Sequence, residues 1–202
     1  MTLLVCCATI SAQHTGSWIH KLKDADLLFH IPAQSNAITK VTQGVDQQQI
    51  DHVGIIYRKD GQIMVIEATY DGVVLSPLSQ VLAQPGKWLA GRVKGKIDRQ
   101  QTLNNALAQL GKPYDFTFQR DDREIYCSEL VEMSYVWKNG GRIFSPIPMS
   151  FHDESGNLLP YWVEFYALRG MDVPEGQPGS NPGNLSRDKR VKIITSLRHH
   201  CR

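Results

Sequence analysis

The chain has 202 residues, 42% of them hydrophobic and 21% charged, with a formal net charge of +2. That length suits one domain with a sizeable core and is short for two, and the apolar content excludes a disordered chain. So small a net charge speaks against a nucleic-acid partner, and the basic run from Arg187 to Arg202 reads as a solvated tail.

The four cysteines are Cys6, Cys7, Cys127 and Cys201. Their spacing is not that of a disulfide framework, and no C-x-x-C pair points to zinc. His199, His200 and Cys201 sit at a chain end and read as tail, so neither a metal nor an organic cofactor is expected. Residues 1–13 contain "LLVCCATISAQ", apolar and then small, without a basic leader and too short to span a bilayer. Two readings stand: the remnant of a secretory signal peptide, or the first apolar segment of the fold. The signal reading is adopted here, with a periplasmic or secreted location; the other leaves the protein cytoplasmic. Residues 14–202 then form a single domain with no stable membrane span.

In chain order, 25–31 ("ADLLFHI") predicts a strand ended by Pro32, and Ser35 caps a short helix presenting Ala37, Ile38 and Val41. "HVGIIYR" (52–58) and "QIMVIEA" (62–68) are two apolar, β-branched runs joined by Lys59, Asp60 and Gly61, a strong hairpin signal. Pro77 opens a short helix through Leu82, and 87–95 offers a strand weakened by Gly91. Asp98 with Gln101 resembles a capping box for a helix presenting Leu103, Ala106, Leu107 and Leu110, stopped by Gly111 and Pro113. Another helix begins near Cys127, with Val131 and Ser134/Tyr135 above it. From Asn139 to Asn184 the chain is rich in Gly, Pro, Ser and Asn, interrupted by an aromatic helical segment at 158–170; 191–197 is the closing strand. A small sheet with helices beside it makes the class α+β.

Cys127 follows a polar, turn-prone run and precedes apolar helical periodicity, which puts its sulfur at a helix N-terminus. There the dipole and unpaired N–H groups favour a thiolate and can serve an oxyanion. A buried cysteine packed as a small hydrophobe is an equal alternative at this point. The hairpin sharpens the choice. A two-residue loop pairs Lys59 with Gln62, so His52 lies opposite Thr69 and Glu67 opposite Gly54. His52 and Glu67 are then diagonal neighbours on one face, about 7–8 Å apart at the backbone. A three-residue loop would send Glu67 to the other face. A carboxylate in so apolar a strand is costly to bury without a partner. Asp51, next to His52 along the strand, points the other way and is discounted as its orienter.

These motifs resemble a known family. "DHVGIIY" looks like the His-bearing strand of NlpC-type papain-like hydrolases, and "LGKPYDF" followed by "YCSELV" looks like the region around their nucleophile. The order His, Glu, Cys resembles the circularly permuted branch, the YiiX/YebB-like cysteine hydrolases. "DADLLFHI" is similar to that branch's opening strand, with Ala25 where a Gly is usual. The resemblance covers roughly Asp24 to Trp137. It implies a permuted papain-like fold, a small antiparallel sheet or half-barrel packed on helices. It also implies Cys127 as nucleophile, His52 as base and Glu67 as third member, with Tyr114 and Tyr166 as substrate-pocket candidates. The loop-rich insertion 139–184 is expected near the cleft. The implied activity is that of an amidase or peptidase on a small peptide, an amino-acid amide or a lipid-linked amide, without metal. Two alternatives stay open: a lipid-directed acyltransferase or acyl hydrolase of the lecithin–retinol-acyltransferase type, and a non-catalytic binding module.

Overall fold

The structure, a computed structural model, describes residues 18–121 and 123–198. The signal-like segment 1–13 and the terminal His199, His200 and Cys201 lie outside the described residues. Six antiparallel strands form one open sheet in the order β4-β3-β2-β1-β5-β8. They are β1 (Asp26–Pro32), β2 (His52–Lys59), β3 (Gln62–Thr69), β4 (Gly72–Pro77), β5 (Gly86–Val93) and β8 (Val191–Arg198). A short pair, β6 (Ile147–Pro148) and β7 (Pro178–Gly179), lies apart. The helices are α1 (Leu78–Leu82), α2 (Arg99–Leu107), α3 (Cys127–Ser134), α4 (Pro160–Ala167) and α5 (Pro182–Arg187). None of the described helices is long and apolar enough to cross a membrane.

Both faces of the sheet are covered, which is why its inner strands read as nearly continuous apolar runs. On one face Leu27, Phe29, Val53, Ile55, Ile66 and Ala68 pack with Leu103 and Ala106 of α2 and with Leu130 and Val131 of α3. On the other, Leu28, Ile56, Val65 and Trp88 pack with Leu78 and Val81 of α1. A third, smaller cluster of Met149, Phe151, Trp162 and Tyr166 gathers the 139–184 segment over Ile38, Val41 and Phe118.

The β2–β3 hairpin has the expected register, from Lys59 opposite Gln62 to Ile55 opposite Ile66. Asp60 (φ 50°) and Gly61 (φ 78°) both take positive φ, the conformation that a two-residue hairpin loop demands. The α+β class and the antiparallel sheet are as the sequence implies.

Two local expectations are corrected. Residues 37–41 form a turn rather than a helix capped by Ser35. Asn36 is the capping side chain, its Oδ1 accepting from the N–H groups of Ile38 and Thr39 at 3.0 Å each. The short helix expected from Pro77 through Leu82 does form, as α1 with Pro77 at its N-cap, and Pro77 is also the last residue of β4, opposite Met64. The helix from Arg99 ends at Leu107, so Leu110 falls beyond it and is 42% exposed.

Candidate active site

Cys127 is the first residue of α3, and no side chain caps that helix. Its leading N–H groups are therefore left for another acceptor. The thiol is buried, at 4% exposure. His52, the first residue of β2, has Nε2 2.8 Å from Oε2 of Glu67. The same imidazole lies close enough to Cys127 for the thiol to raise its pKa. Its Nε2 being engaged by Glu67, Nδ1 is the ring nitrogen left for the sulfur. The structure thus brings together Cys127, His52 and Glu67 from α3, β2 and β3.

Packing explains why the hairpin can hold a carboxylate there. Glu67 is only 2% exposed. A Cβ at Gly54 would clash with Val65 Cγ1 at 2.4 Å and would sit 3.4 Å from Glu67 Cβ, so glycine lets the strand pack closely next to Glu67. Burial works against the imidazolium of His52, but the hydrogen bonds to Cys127 and Glu67 and their charges outweigh it and raise the His52 pKa from 6.5 to about 10. For Glu67, burial again opposes the charge, and His52, Ser76 and the nearby His30 together hold the carboxyl below its ordinary value. The site at neutral pH therefore contains an imidazolium against a buried carboxylate.

Tyr114 lines the cavity at Cys127. Its hydroxyl has no hydrogen-bond partner among the described residues. Burial and the neighbouring Cys127 push that phenol well above its ordinary pKa, so it stays a donor. Tyr166 is placed differently from the expectation. It is fully buried and its hydroxyl donates to the Thr117 carbonyl at 2.8 Å, so it supports the wall from behind and does not line the cavity. The remaining lining is largely apolar, with Ile38, Val41, Phe118, Met149, Phe151 and Trp162 around Cys127. Half of these come from the 139–184 segment.

Asp51, discounted as the orienter of His52, and residues that the sequence did not single out also lie at the site. Asp51 lines the cavity and bonds His30 rather than His52: His30 Nδ1 is 2.8 Å from Asp51 Oδ1, and Asn36 donates to Oδ2 at 2.7 Å. His30 lies opposite His52 in the β1–β2 ladder, so the strand pattern alone contained this placement. Ser180 donates to Ser128 Oγ at 3.1 Å, and the Ser180 N–H donates to the Tyr126 hydroxyl at 3.0 Å, which ties the 139–184 segment to the start of α3. No local signal in the sequence announces those contacts.

A family model described as "Permuted papain-like amidase enzyme, YaeF/YiiX, C92 family" matches residues 21–195. The chain belongs to the permuted papain-like amidase family. That family is described as one of papain-like amidase enzymes. A relative, "Uncharacterized protein YiiX" of Escherichia coli (strain K12), is 34% identical over 123 residues, which is 58% of this chain and 59% of that protein. A solved structure titled as that of metalloprotein yiiX from Escherichia coli O157:H7 superposes with a TM-score of 0.68 at 25% identity, covering 86% of this chain and 96% of that one.

The word metalloprotein describes that relative. In this family member, no three His, Cys, Asp or Glu side chains among the described residues form a group that could hold a metal ion. His52 Nε2 and Glu67 Oε2 are moreover committed to each other. The donors described here do not fit a resident ion.

Proposed function

We propose that the protein cleaves an amide bond by acyl transfer to water through Cys127, His52 and Glu67. The observation that supports this most is the single imidazole shared between the Cys127 thiol and a buried carboxylate. Cys127 sulfur attacks the carbonyl carbon as thiolate. The Cys127 backbone N–H and the free Tyr114 hydroxyl hold the oxyanion that forms. His52 Nδ1–H protonates the departing amine, the C–N bond breaks, and a thioester remains. His52, now neutral, takes a proton from water as that water attacks the thioester, and the acid and the thiolate–imidazolium pair are released. Glu67 keeps Nε2 protonated throughout, which holds Nδ1 toward the sulfur.

The substrate in this reading is a small peptide, an amino-acid amide or a lipid-linked amide. The apolar lining at Cys127 favours a second reading at the same site, in which the acyl group is a hydrophobic chain and the acceptor is not always water. Hydrolysis of peptide amides, N-acyl amides and phospholipid esters by wild type, Cys127→Ala and His52→Ala tests both. Turnover of an amide, lost in both variants, is the expected result. Turnover of esters alone selects the second reading, and an inert wild type leaves a papain-like binding module.

A further inference from the structure

Phe118 stands between two cavities. Phe118 and Met149 are the two side chains that line both the cavity at Cys127 and a larger one bordered by Gln119, Arg120, Asp172 and Gln177. The free volume at Cys127 is about 50 Å³, against about 680 Å³ beyond the partition. An engineered cavity that holds benzene measures about 150 Å³, so the space at the sulfur is small for a bulky acyl group while Phe118 stays where it is.

The partition is built from parts that can give way. Phe118 has φ 53°, a left-handed backbone that a bulky side chain rarely adopts and that persists only where its surroundings impose it. Its ring is held edge-on by Tyr126, with centroids 5.3 Å apart, and by Trp162, at 5.7 Å. Met149 completes the wall with an unbranched, adaptable thioether.

Granting the reading of Cys127 as nucleophile, we propose that Phe118 is the gate that sets which acyl groups the enzyme accepts. The acyl group runs from Cys127 past Phe118 into the second cavity. Its first atoms meet Phe151 and Trp162 and are apolar; its far end meets Gln119, Asp172 and Gln177 and carries hydrogen-bonding groups. Arg120 is already bound to Glu132, so the far end is matched to polar rather than anionic groups.

The gate is tested by alkylating the full chain with iodoacetamide and its N-butyl and N-octyl derivatives, and quantifying modification of the Cys127 peptide by mass spectrometry. This readout needs no turnover. In wild type the rate falls steeply with chain length. In Phe118→Ala and Phe118→Gly the N-octyl reagent reacts at least tenfold faster than in wild type, and iodoacetamide itself changes less than twofold. Phe118→Gly adopts the left-handed backbone without strain and serves as the folded control. An octyl-to-parent rate ratio equal in all three proteins overturns the gate. Size-gated alkylation in a protein that hydrolyses no amide keeps the gate and overturns the proposed reaction instead.

Discussion

His52 carries most of the electrostatics of the site. Although burial opposes its charge, contacts to Cys127 and Glu67 raise its pKa from 6.5 to about 10. A folded pKa above the unfolded one contributes stability that is complete below about pH 6.5 and is lost as pH rises through about 10. Glu67 shifts the opposite way, so its contribution is present above 4.5 and fades as pH falls through its depressed folded value. The basic limb of kcat/KM is therefore expected near pH 10. Glu67→Gln should move that limb to lower pH and reduce kcat/KM at least about tenfold; a pH–rate profile of the two proteins checks it. Glu129, two residues after Cys127, is buried and has one carboxylate oxygen without a partner. Its burial raises the pKa to about 7, against the pull of Arg120 and with the push of Asp115. The folded state then binds this proton more tightly than the unfolded one, so stability falls between about pH 4.5 and 7 and levels off above. Glu129→Gln should remove that decline in urea midpoints taken at about pH 5 and about pH 8.

The β2–β3 hairpin is the element that turns local sequence into site geometry. Its register follows from Asp60 and Gly61, whose positive φ values only a permissive pair adopts cheaply. Gly61→Val should cost about 1–2 kcal/mol in denaturant unfolding, while pairing of the apolar faces keeps His52 beside Glu67 and leaves Cys127 reactivity unchanged. This part was legible because a two-residue turn and period-two alternation are local facts. The same local logic placed α3 at Cys127 and the capping side chain of Asp98 on α2. It failed where tertiary pairing decided. "GVVLS" is too short to declare itself, and only the β3 edge makes it a strand ending at Pro77. Asn36 outcompeted Ser35 as a cap because its amide also reaches Asp51, a contact that exists only in the fold.

Across the whole molecule, the site is an assembly of distant segments. The helix bearing Cys127 is anchored beneath by Glu132, 1% exposed, which binds Arg120 and lies 3.6 Å from Arg142. Arg120→Ala leaves that buried carboxylate with one distant cation and should destabilise the protein by about 3 kcal/mol, read as a shifted urea midpoint with unchanged slope. The family resemblance put 139–184 near the cleft, but that Met149 and Phe151 wall the cavity was not legible, since such contacts follow from long-range packing and leave no periodic trace. Tyr166 looked like a pocket residue for the same reason and proved to be a buried support. We propose that the sulfur of Cys127 and the imidazole of His52 react as one unit. The most direct test is the rate of iodoacetamide alkylation of Cys127 at about pH 6, where an ordinary thiol is almost wholly protonated. Wild type should react at least about a hundredfold faster than His52→Ala; equal rates in the two proteins would contradict the pairing.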